Sequence, residues 1–323
     1  MGCVSSRKVP DIVGEGYRLK FKKTLAVGGS AKVMEVDPGG GKETMVVKKV
    51  VAFTKREEQR VKLEAELYKK LESNEFVIDL IAHIVVDIDH YLLFDRYPMH
   101  FGQFLEKIKN GEEPFDEPRH VRFFAGIVSA IEHLHSLAFA HFDLKPANIL
   151  MSGDTIKLID FGSATKMPIE IVTSADHHKC KEDAEEMCSM MYRAPELFSC
   201  EIGSRVTTAV DIWSLGVCLY EFMFLENPFN KVYEQGGSIA LATQSPQMIK
   251  WTSEREVSEK TIDLMKEVLK VDPEERPSAE RLRERVERLL SPEGTVPVRE
   301  ITDEEFDEAM REESSANGTL TSP

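Results

Sequence analysis

Apolar and polar positions alternate in the first third of the chain, as is typical of β-strands. Alternation is clear over 17–21, a β-branched run covers 44–51, and a short apolar run covers 91–94. Between them, residues 55–71 contain neither Pro nor Gly, and their apolar side chains recur near helical spacing. These patterns predict a small sheet carrying one main helix, over about residues 17–97.

The pattern becomes helical from about residue 98. A wide apolar face between Val121 and Leu134 indicates a helix that is largely buried, and similar periodicity returns at 212–223, 262–269 and 279–289. The sequence therefore predicts an α+β fold in which a larger, mainly helical lobe over about 98–290 follows the sheet lobe.

The segment after residue 290 has a different composition. Residues 299–313 hold eight acidic and two basic side chains. Phe306 and Met310 are spaced for a marginal amphipathic helix, but 291–323 is more typical of a solvated, disordered tail.

The first residues fit an acylation pattern. Gly2 follows the initiator Met, Ser6 supplies the expected hydroxyl, and Cys3 adjoins the glycine. One myristoyl chain binds a bilayer only marginally, so a palmitoylated Cys3 and the basic pair at 7–8 would supply the second signal. We predict that residues 1–16 are an acylated anchor segment; the alternative is an ordinary frayed terminus.

Composition excludes several classes of protein. The chain of 323 residues has 41 basic and 56 acidic side chains, a net charge of −15, which argues against broad contact with nucleic acid. No stretch is apolar enough over its length for a membrane-spanning helix. Five cysteines without a C-x-x-C pair or a secretory signal indicate a reducing, intracellular compartment.

A glycine-containing turn is predicted between two strands at Leu25, Ala26, Val27, Gly28 and Gly29. Glycines let backbone N–H groups approach phosphates closely, but Gly-Gly is also a common hairpin turn. Both interpretations remain open from the turn alone.

A lysine, Lys48, lies inside an apolar strand. Such a lysine usually extends to solvent, but if it points inward it needs an anion. Glu64 on the following predicted helix would be a suitable partner.

A polar loop follows the long buried helix and carries Asp143, Lys145 and Asn148. These residue types suit phosphoryl transfer, where a hydroxyl proton is accepted, a phosphate neutralised and a metal held. Asp160, in an Asp-Phe-Gly sequence twelve residues later, adds an oxygen ligand of the kind Mg²⁺ prefers. The alternative is an ordinary polar loop after a helix, which this spacing disfavours.

Three further residues are predicted to be architectural. Glu196 in Ala-Pro-Glu needs a cation if it is buried, and the planar guanidinium of Arg276 is a suitable bidentate partner. Asp211 opens a predicted helix in Asp-Ile-Trp-Ser-Leu-Gly.

This ordered set resembles eukaryotic protein kinases over about residues 17–290, and Lys145 resembles the serine/threonine type. The segments 160–165, 192–198 and 233–242, together with the N-terminus, look most like the small, myristoylated and palmitoylated branch of the numb-associated kinase family. The resemblance implies a bilobal protein-kinase-like fold, ATP with Mg²⁺ (or Mn²⁺) as cofactors, and protein hydroxyls as substrates. It also implies the cytoplasmic face of the Golgi or another endomembrane.

The resemblance also implies roles for individual residues. Asp143 would be the base, Lys145 would stabilise the transferring phosphate, Asn148 and Asp160 would hold the metal, and Lys48 would bind the α- and β-phosphates. By the same resemblance, Val33, Val46 and Leu150 would contact adenine and Phe94 would be the gatekeeper. The backbone of Asp95 and Tyr97 would form the hinge, and the Ser189 hydroxyl would bridge Asp143 and Lys145.

Departures from the family pattern matter as well. Ala26 and Ala31 replace two glycines of the phosphate loop, and Val46 replaces the usual alanine over adenine. Phe142 stands where many kinases have an arginine that pairs with an activation-loop phosphate, so we expect activity without that phosphorylation.

Some alternatives remain open from the sequence. A lipid-anchored scaffold that binds nucleotide without turnover is supported only by the altered glycines, and a small-molecule phosphotransferase is disfavoured by Ala-Pro-Glu. Residues 163–193 could be a mobile loop or contain an extra helix. His177, His178 and Cys180 lack a fourth ligand, so we do not expect a zinc site there.

Overall fold

The computed structural model describes residues 11–14, 16–28, 31–246, 249–251 and 255–291. The described residues up to Leu289 form one compact unit with a sheet lobe followed by a helical lobe. This confirms the predicted α+β fold class. No helix among the described residues is long and apolar enough to cross a bilayer.

The strands are short apart from those of the N-terminal lobe. They are β1 (Ile12–Gly14), β2 (Tyr17–Val27), β3 (Ala31–Asp37), β4 (Met45–Val51), β5 (Ala82–Val86), β6 (Asp89–Asp95), β7 (Met99–His100), β8 (Phe139–Ala140), β9 (Ile149–Ser152), β10 (Thr155–Leu158), β11 (Thr165–Lys166), β12 (Ile169–Glu170) and β13 (Arg205–Val206). The first six form one antiparallel sheet in the order β1-β2-β3-β4-β6-β5.

The helices are concentrated in the C-terminal lobe. They are α1 (Lys55–Lys70), α2 (Phe101–Lys109), α3 (Glu117–Ser136), α4 (Ser174–Met187), α5 (Pro195–Ser199), α6 (Ala209–Phe224), α7 (Asn230–Glu234), α8 (Ile239–Thr243), α9 (Glu259–Val268) and α10 (Ala279–Leu290). The helices predicted near 55–71, 121–134, 212–223, 262–269 and 279–289 are confirmed as α1, α3, α6, α9 and α10.

The six-stranded sheet separates two sets of side chains because strand residues alternate between faces. Val47 and Leu93 lie directly opposite each other on β4 and β6, and both belong to a buried apolar cluster. Lys48 and Val46 on the same β4 point to the other face. One face of the sheet therefore provides the lobe's core, and the other is free to form a site.

Strand β1 lies within the range 1–16 that the sequence assigned to an anchor segment. Ile12 is buried in the sheet-lobe cluster, and burial of this apolar side chain stabilises the pairing of the short strand with β2. Gly14 lies so close to β5 that a Cβ there would be 2.7 Å from the Ile84 Cγ2 atom. The edge strands β1 and β5 therefore approach each other across the curved sheet.

Helix α1 begins with a capping box. The Thr54 hydroxyl accepts from the Glu57 N–H, and the Glu57 carboxylate accepts from the Thr54 N–H. These bonds fix the start of the helix that carries Glu64.

Helix α6 is the buried centre of the C-terminal lobe. Gly216 allows close packing, since a Cβ there would be 2.7 Å from the Val268 side chain and 2.8 Å from that of Leu269. Asp211, in the first turn of α6, is completely buried. The helix therefore places a buried carboxylate on a rigid element.

The segment 163–193 contains α4, so the helical alternative of the sequence analysis is the one observed. Thr173 and Asp176 form a capping box at its start. His177 donates from Nδ1 to the Cys200 carbonyl oxygen at 2.7 Å, and Cys180 contacts Cys200. Among the described residues, no three potential metal ligands come together.

Candidate active site

Three charged side chains from both lobes meet in the cleft. The Lys48 Nζ lies 2.7 Å from the Glu64 Oε1 atom and 2.6 Å from the Asp160 Oδ1 atom. Strand β4, helix α1 and the loop after β10 supply one group each. Lys48 therefore points inward, as the second of the two sequence interpretations required.

Charge compensation outweighs burial for Lys48 and Asp160, whereas burial raises the pKa of Glu64 despite the nearby Lys48 charge. Burial alone would lower the pKa of Lys48, but the carboxylates of Glu64 and Asp160 outweigh it and raise that pKa. Burial alone would likewise raise the pKa of Asp160, but the Lys48 charge lowers it. Lys48 and Asp160 are therefore held in their charged forms at neutral pH.

The backbone of Asp160 is held in an unusual conformation. Its φ of 68° lies in the left-handed region, and its N–H donates to the Tyr68 hydroxyl at 2.8 Å. Phe161 is buried and contacts the Tyr68 ring edge-on at a centroid distance of 4.9 Å. A Cβ at Gly162 would be 3.2 Å from both the Asp160 and the Glu64 carboxylates, so only glycine fits there without displacing the triad.

A second cluster forms where the loop after α3 meets Ser189, which follows α4. The Lys145 Nζ is 2.7 Å from the Asp143 Oδ2 atom and 2.8 Å from the Ser189 Oγ atom. The Ser189 N–H donates to Asp143 Oδ1 at 2.9 Å, and the Asn148 Nδ2 donates to the Asp143 carbonyl oxygen at 2.8 Å. The structure thus brings together the four residues that the sequence predicted here.

Asp211 anchors this loop from below. Its carboxylate accepts from the backbone N–H groups of His141 at 2.7 Å and Phe142 at 3.0 Å, and the His135 Nε2 donates to it at 2.9 Å. Phe142 is buried and has a φ of 72°, which costs energy for a residue with a Cβ. The buried carboxylate of Asp211 offsets that cost and fixes the loop that presents Asp143.

One face of the sheet lines the cleft above the triad. Val33 on β3 lies between Ala26 on β2 and Lys48 on β4 and is paired with both. Val46 on β4 is opposite Phe94 on β6. Directly opposed residues share a face, and residues two apart on β4 also share it. All five side chains therefore point to the same side.

The remaining predicted nucleotide positions surround this face. Leu150 is half-buried on β9, Asp95 ends β6, and Tyr97 follows it. The Gly28 N–H donates to the Ala31 carbonyl oxygen at 2.8 Å, which closes the turn between β2 and β3. Leu25 and Val27 are exposed on β2. Gly2, Cys3 and Gly29 lie outside the described residues.

Glu196 and Arg276 form the expected bidentate pair. Arg276 Nη1 and Nη2 lie 2.7 and 2.8 Å from the two Glu196 carboxylate oxygens. The arginine side chain is fully buried, donates to three further carbonyl oxygens and lies over the Trp213 ring. These contacts fix the position of Glu196 on α5, downstream of Ser189.

Two ion pairs that the sequence analysis missed join α1 to α4. Arg56 Nη2 lies 2.6 Å from Asp183 Oδ1, and Arg60 Nη1 lies 3.7 Å from Glu186 Oε1. Helix α1 also carries Glu64. These pairs therefore connect the segment before Ser189 to the helix that orients Lys48, and only the helical spacing of the four charges could have indicated them.

Tyr68 was also missed from the sequence. It lies one turn after Glu64 on α1 and contacts Phe94 as well as Phe161. Its position four residues from Glu64 places it on the same helix face, which was the available signal.

Comparison with known proteins agrees with this geometry. Residues 19–286 match the protein kinase domain family. The chain is 28% identical over 297 residues to serine/threonine-protein kinase 16 of Mus musculus, covering 90% of this chain and 95% of the relative. It is 27% identical over 316 residues to serine/threonine-protein kinase ppk13 of Schizosaccharomyces pombe, covering 85% and 91% respectively. A shorter match, 32% over 149 residues, links it to serine/threonine-protein kinase ENV7 of Saccharomyces cerevisiae, with 46% and 41% covered.

Proposed function

Because the chain belongs to the protein kinase domain family and is a serine/threonine protein kinase that uses ATP and a divalent metal, we propose specific roles for the residues of its cleft. The observation that carries the assignment is that the two charged clusters adjoin. The Ile159 N–H, next to Asp160, donates to the Asn148 carbonyl oxygen at 3.0 Å, which joins the Lys48–Asp160 pair to the loop that carries Asp143. We assign this cleft to transfer of the γ-phosphoryl group of Mg-ATP to protein hydroxyls.

Asp143 acts as the base that orients the substrate hydroxyl and accepts its proton. Its carboxylate is fixed by the Ser189 N–H and by Lys145, so its position is set before substrate arrives. Lys145 shares its ammonium between Asp143 and Ser189, and in this proposal its charge stabilises the transferring phosphate. Lys48, oriented by Glu64, binds the α- and β-phosphates.

Asn148 and Asp160 are suited to hold the metal. The Asn148 amide nitrogen is used on the Asp143 carbonyl, which leaves the amide oxygen as a ligand. The Asp160 side chain is 41% exposed, and Lys48 occupies only one of its two oxygens. Hard oxygen donors of this kind fit Mg²⁺, and Mn²⁺ is the alternative. The bound metal would neutralise phosphate charge.

The adenine pocket is assigned to the sheet face above the triad. Val33 and Val46 contact one side of the ring and Leu150 the other, and the Asp95 and Tyr97 backbone provides hydrogen bonds. The end of β2 and the turn that follows it cover the phosphates, at Leu25, Ala26, Val27, Gly28 and Gly29. Opposed strand positions on one face support this arrangement.

The experiment that tests the assignment compares the wild type with Asp143→Asn in phosphorylation of a generic protein by Mg-ATP. Loss of a positioned base is expected to lower the rate by about 10²–10⁴-fold. The matched control is Asp263→Asn, which removes an exposed carboxylate on α9. Equal labelling by wild type and Asp143→Asn would favour the nucleotide-binding scaffold, which the Ala26 and Ala31 substitutions suggest.

We further propose that activity does not require activation-loop phosphorylation. Phe142 is buried where a phosphate-binding arginine would stand, and the α1–α4 ion pairs already connect the segment to α1. Thr173 is occupied as the cap of α4.

Complete dephosphorylation, verified by intact mass, is therefore expected to leave the initial rate within about twofold of the untreated enzyme. A twofold change corresponds to well under 1 kcal/mol in activation free energy. Loss of most activity on phosphatase treatment would show that a bound phosphate is needed to order the segment 163–193.

The N-terminal assignments extend this proposal. Gly2 and Cys3 are myristoylated and palmitoylated, and the segment 1–16, which ends in β1 of the sheet lobe, anchors the kinase domain of about 17–290 to a membrane. Residues 291–323 form an acidic tail. This places the enzyme on the cytoplasmic face of the Golgi or another endomembrane. The support is the sequence pattern and its resemblance to the acylated branch of the numb-associated kinase family.

A further inference from the structure

Two cysteine thiols from different elements meet beside the segment that carries Ser189. Cys180 lies on α4, and Cys200 follows α5 directly. Their Sγ atoms are 2.6 Å apart, and both side chains are buried. Thiols whose sulfurs already touch need little backbone movement to become a disulfide.

Neighbouring contacts hold the two thiols together. One turn before Cys180, the His177 Nδ1 donates to the Cys200 carbonyl oxygen at 2.7 Å. The Cys200 N–H donates to the Glu196 carbonyl oxygen at 2.9 Å, which ends α5. The backbone of Cys200 is therefore held against α4 and α5 by contacts that involve neither sulfur.

The pair is chemically asymmetric. The Cys200 thiol donates to Cys180, which lowers the pKa of the Cys180 thiol despite its burial. The same hydrogen bond, together with burial, raises the pKa of Cys200, opposed by the positive charges of Lys181 and Arg193. The thiolate is the nucleophile in thiol oxidation, and Cys180, which is 4% exposed whereas Cys200 is fully buried, is the more accessible of the two.

We propose that Cys180 and Cys200 form a reversible disulfide when the protein meets a peroxide. The Cys180 thiolate attacks one peroxide oxygen, the O–O bond breaks, and a sulfenic acid and hydroxide form. The Cys200 sulfur then attacks the Cys180 sulfur, the S–O bond breaks, and water leaves with the Cys200 proton. Two thiols and one hydrogen peroxide give one disulfide and two waters, and a dithiol reductant reverses the link by exchange.

The link would strengthen an arrangement that already exists. It would connect α4 covalently to the residue after α5 and so close a loop that contains Ser189 and Glu196. Because these two elements are already in contact, neither would have to move far. A cross-link over a loop of this length is expected to raise the unfolding temperature by about 5 °C. Burial of both sulfurs makes the reaction depend on local opening of α4, so it should be slower than oxidation of an exposed thiol.

The test uses the reduced full-length protein, titrated with hydrogen peroxide, then alkylated, digested and analysed by mass spectrometry. We expect a linked peptide pair containing Cys180 and Cys200, a loss of two hydrogen masses, and the rise in unfolding temperature. Dithiothreitol should reverse all three changes. Cys180→Ala and Cys200→Ala should each abolish the link, whereas Cys218→Ala, at a buried cysteine on α6, should keep it.

Three results would overturn the proposal: oxidation that gives no linked peptide, sulfinic acid at Cys180 without a link, or preferential linkage through Cys3, Cys188 or Cys218. If either alanine variant unfolds, Cys180→Ser provides a near-isosteric replacement that must also lose the link. These readouts do not use kinase activity, so they are independent of the roles proposed for the cleft.

Discussion

His120 is a buried imidazole that the proposed chemistry does not use. It is surrounded by aromatic rings, including Phe101, Phe104 and Phe115, and its Nδ1 has no hydrogen-bond partner among the described residues. Burial lowers the pKa of His120 to about 4, with Arg119 contributing in the same direction. The folded protein therefore keeps this side chain neutral in mildly acidic solution.

This depressed pKa predicts a pH dependence of stability. Between about pH 6.5 and 4, His120 is protonated in the unfolded chain but stays neutral in the folded protein. The free energy of unfolding therefore falls as pH falls. From pH 7.5 to 5.5, His120 should contribute a loss of about 1.3 kcal/mol. Urea unfolding at both pH values should show this loss in the wild type and reduce it by that amount in His120→Phe. An identical pH dependence in the variant would refute the assignment.

Single residues also show where sequence reasoning reaches its limit. The motif residues Asp143, Asn148 and Asp160 could be identified because their order and spacing are specific. The direction of Lys48 could not, because an apolar strand is equally consistent with a solvent-directed lysine. The observed contacts with Glu64 and Asp160 depend on three elements far apart in the chain.

At the scale of elements, the account depends on the connection between α1 and α4. Reversing both arginines, in Arg56→Glu with Arg60→Glu, places like charges opposite Asp183 and Glu186. Each pair contributes up to about 1 kcal/mol, so the reversal should lower the free energy of unfolding by about 2 kcal/mol or less. Displacement of α1 should lower kcat about five- to tenfold. Initial-rate kinetics at saturating Mg-ATP would measure this effect.

Matched variants separate the contact from a general charge effect. Adding Asp183→Lys and Glu186→Lys should restore most of the rate by re-forming the pairs with opposite polarity. Lys70→Glu, which changes an exposed charge on α1 that pairs within its own helix, should leave kcat unaltered. A reversed quadruple variant no faster than the double variant would argue against coupling through these pairs.

Elements with long, periodic apolar faces were predictable, and short or polar ones were not. Helices α3 and α6 bury wide apolar faces, so periodicity alone located them. Helix α4 is mostly polar, and its capping box and contacts at Cys180 and Asp183 arise only in the folded protein. Strand β1 has three residues, and its burial depends on β2 and β5, which lie elsewhere in the sequence.

At the scale of the whole molecule, acylation should determine where the enzyme resides. Gly2→Ala removes the acceptor of the first acyl chain and should move the protein from the membrane pellet to the supernatant. Cys3→Ser should release only part of it, because one chain binds reversibly and weakly. Ser5→Ala is the matched control, since it leaves the pattern intact. Cell fractionation with quantitative blotting measures all three, and a Gly2→Ala protein that stayed on membranes would require another anchor.

If the two lobes bind one Mg-ATP together, the affinity for ATP must depend on Mg²⁺. Calorimetric titration of the wild type with ATP should show affinity that increases with Mg²⁺, because Asp160 provides a metal ligand in the cleft where Lys48 binds phosphate. In Asp160→Asn that increase should be largely lost, whereas Asp154→Asn, at an exposed turn, should retain it. A wild type that does not bind ATP, or an Asp160→Asn protein with the wild-type dependence on Mg²⁺, would contradict the account.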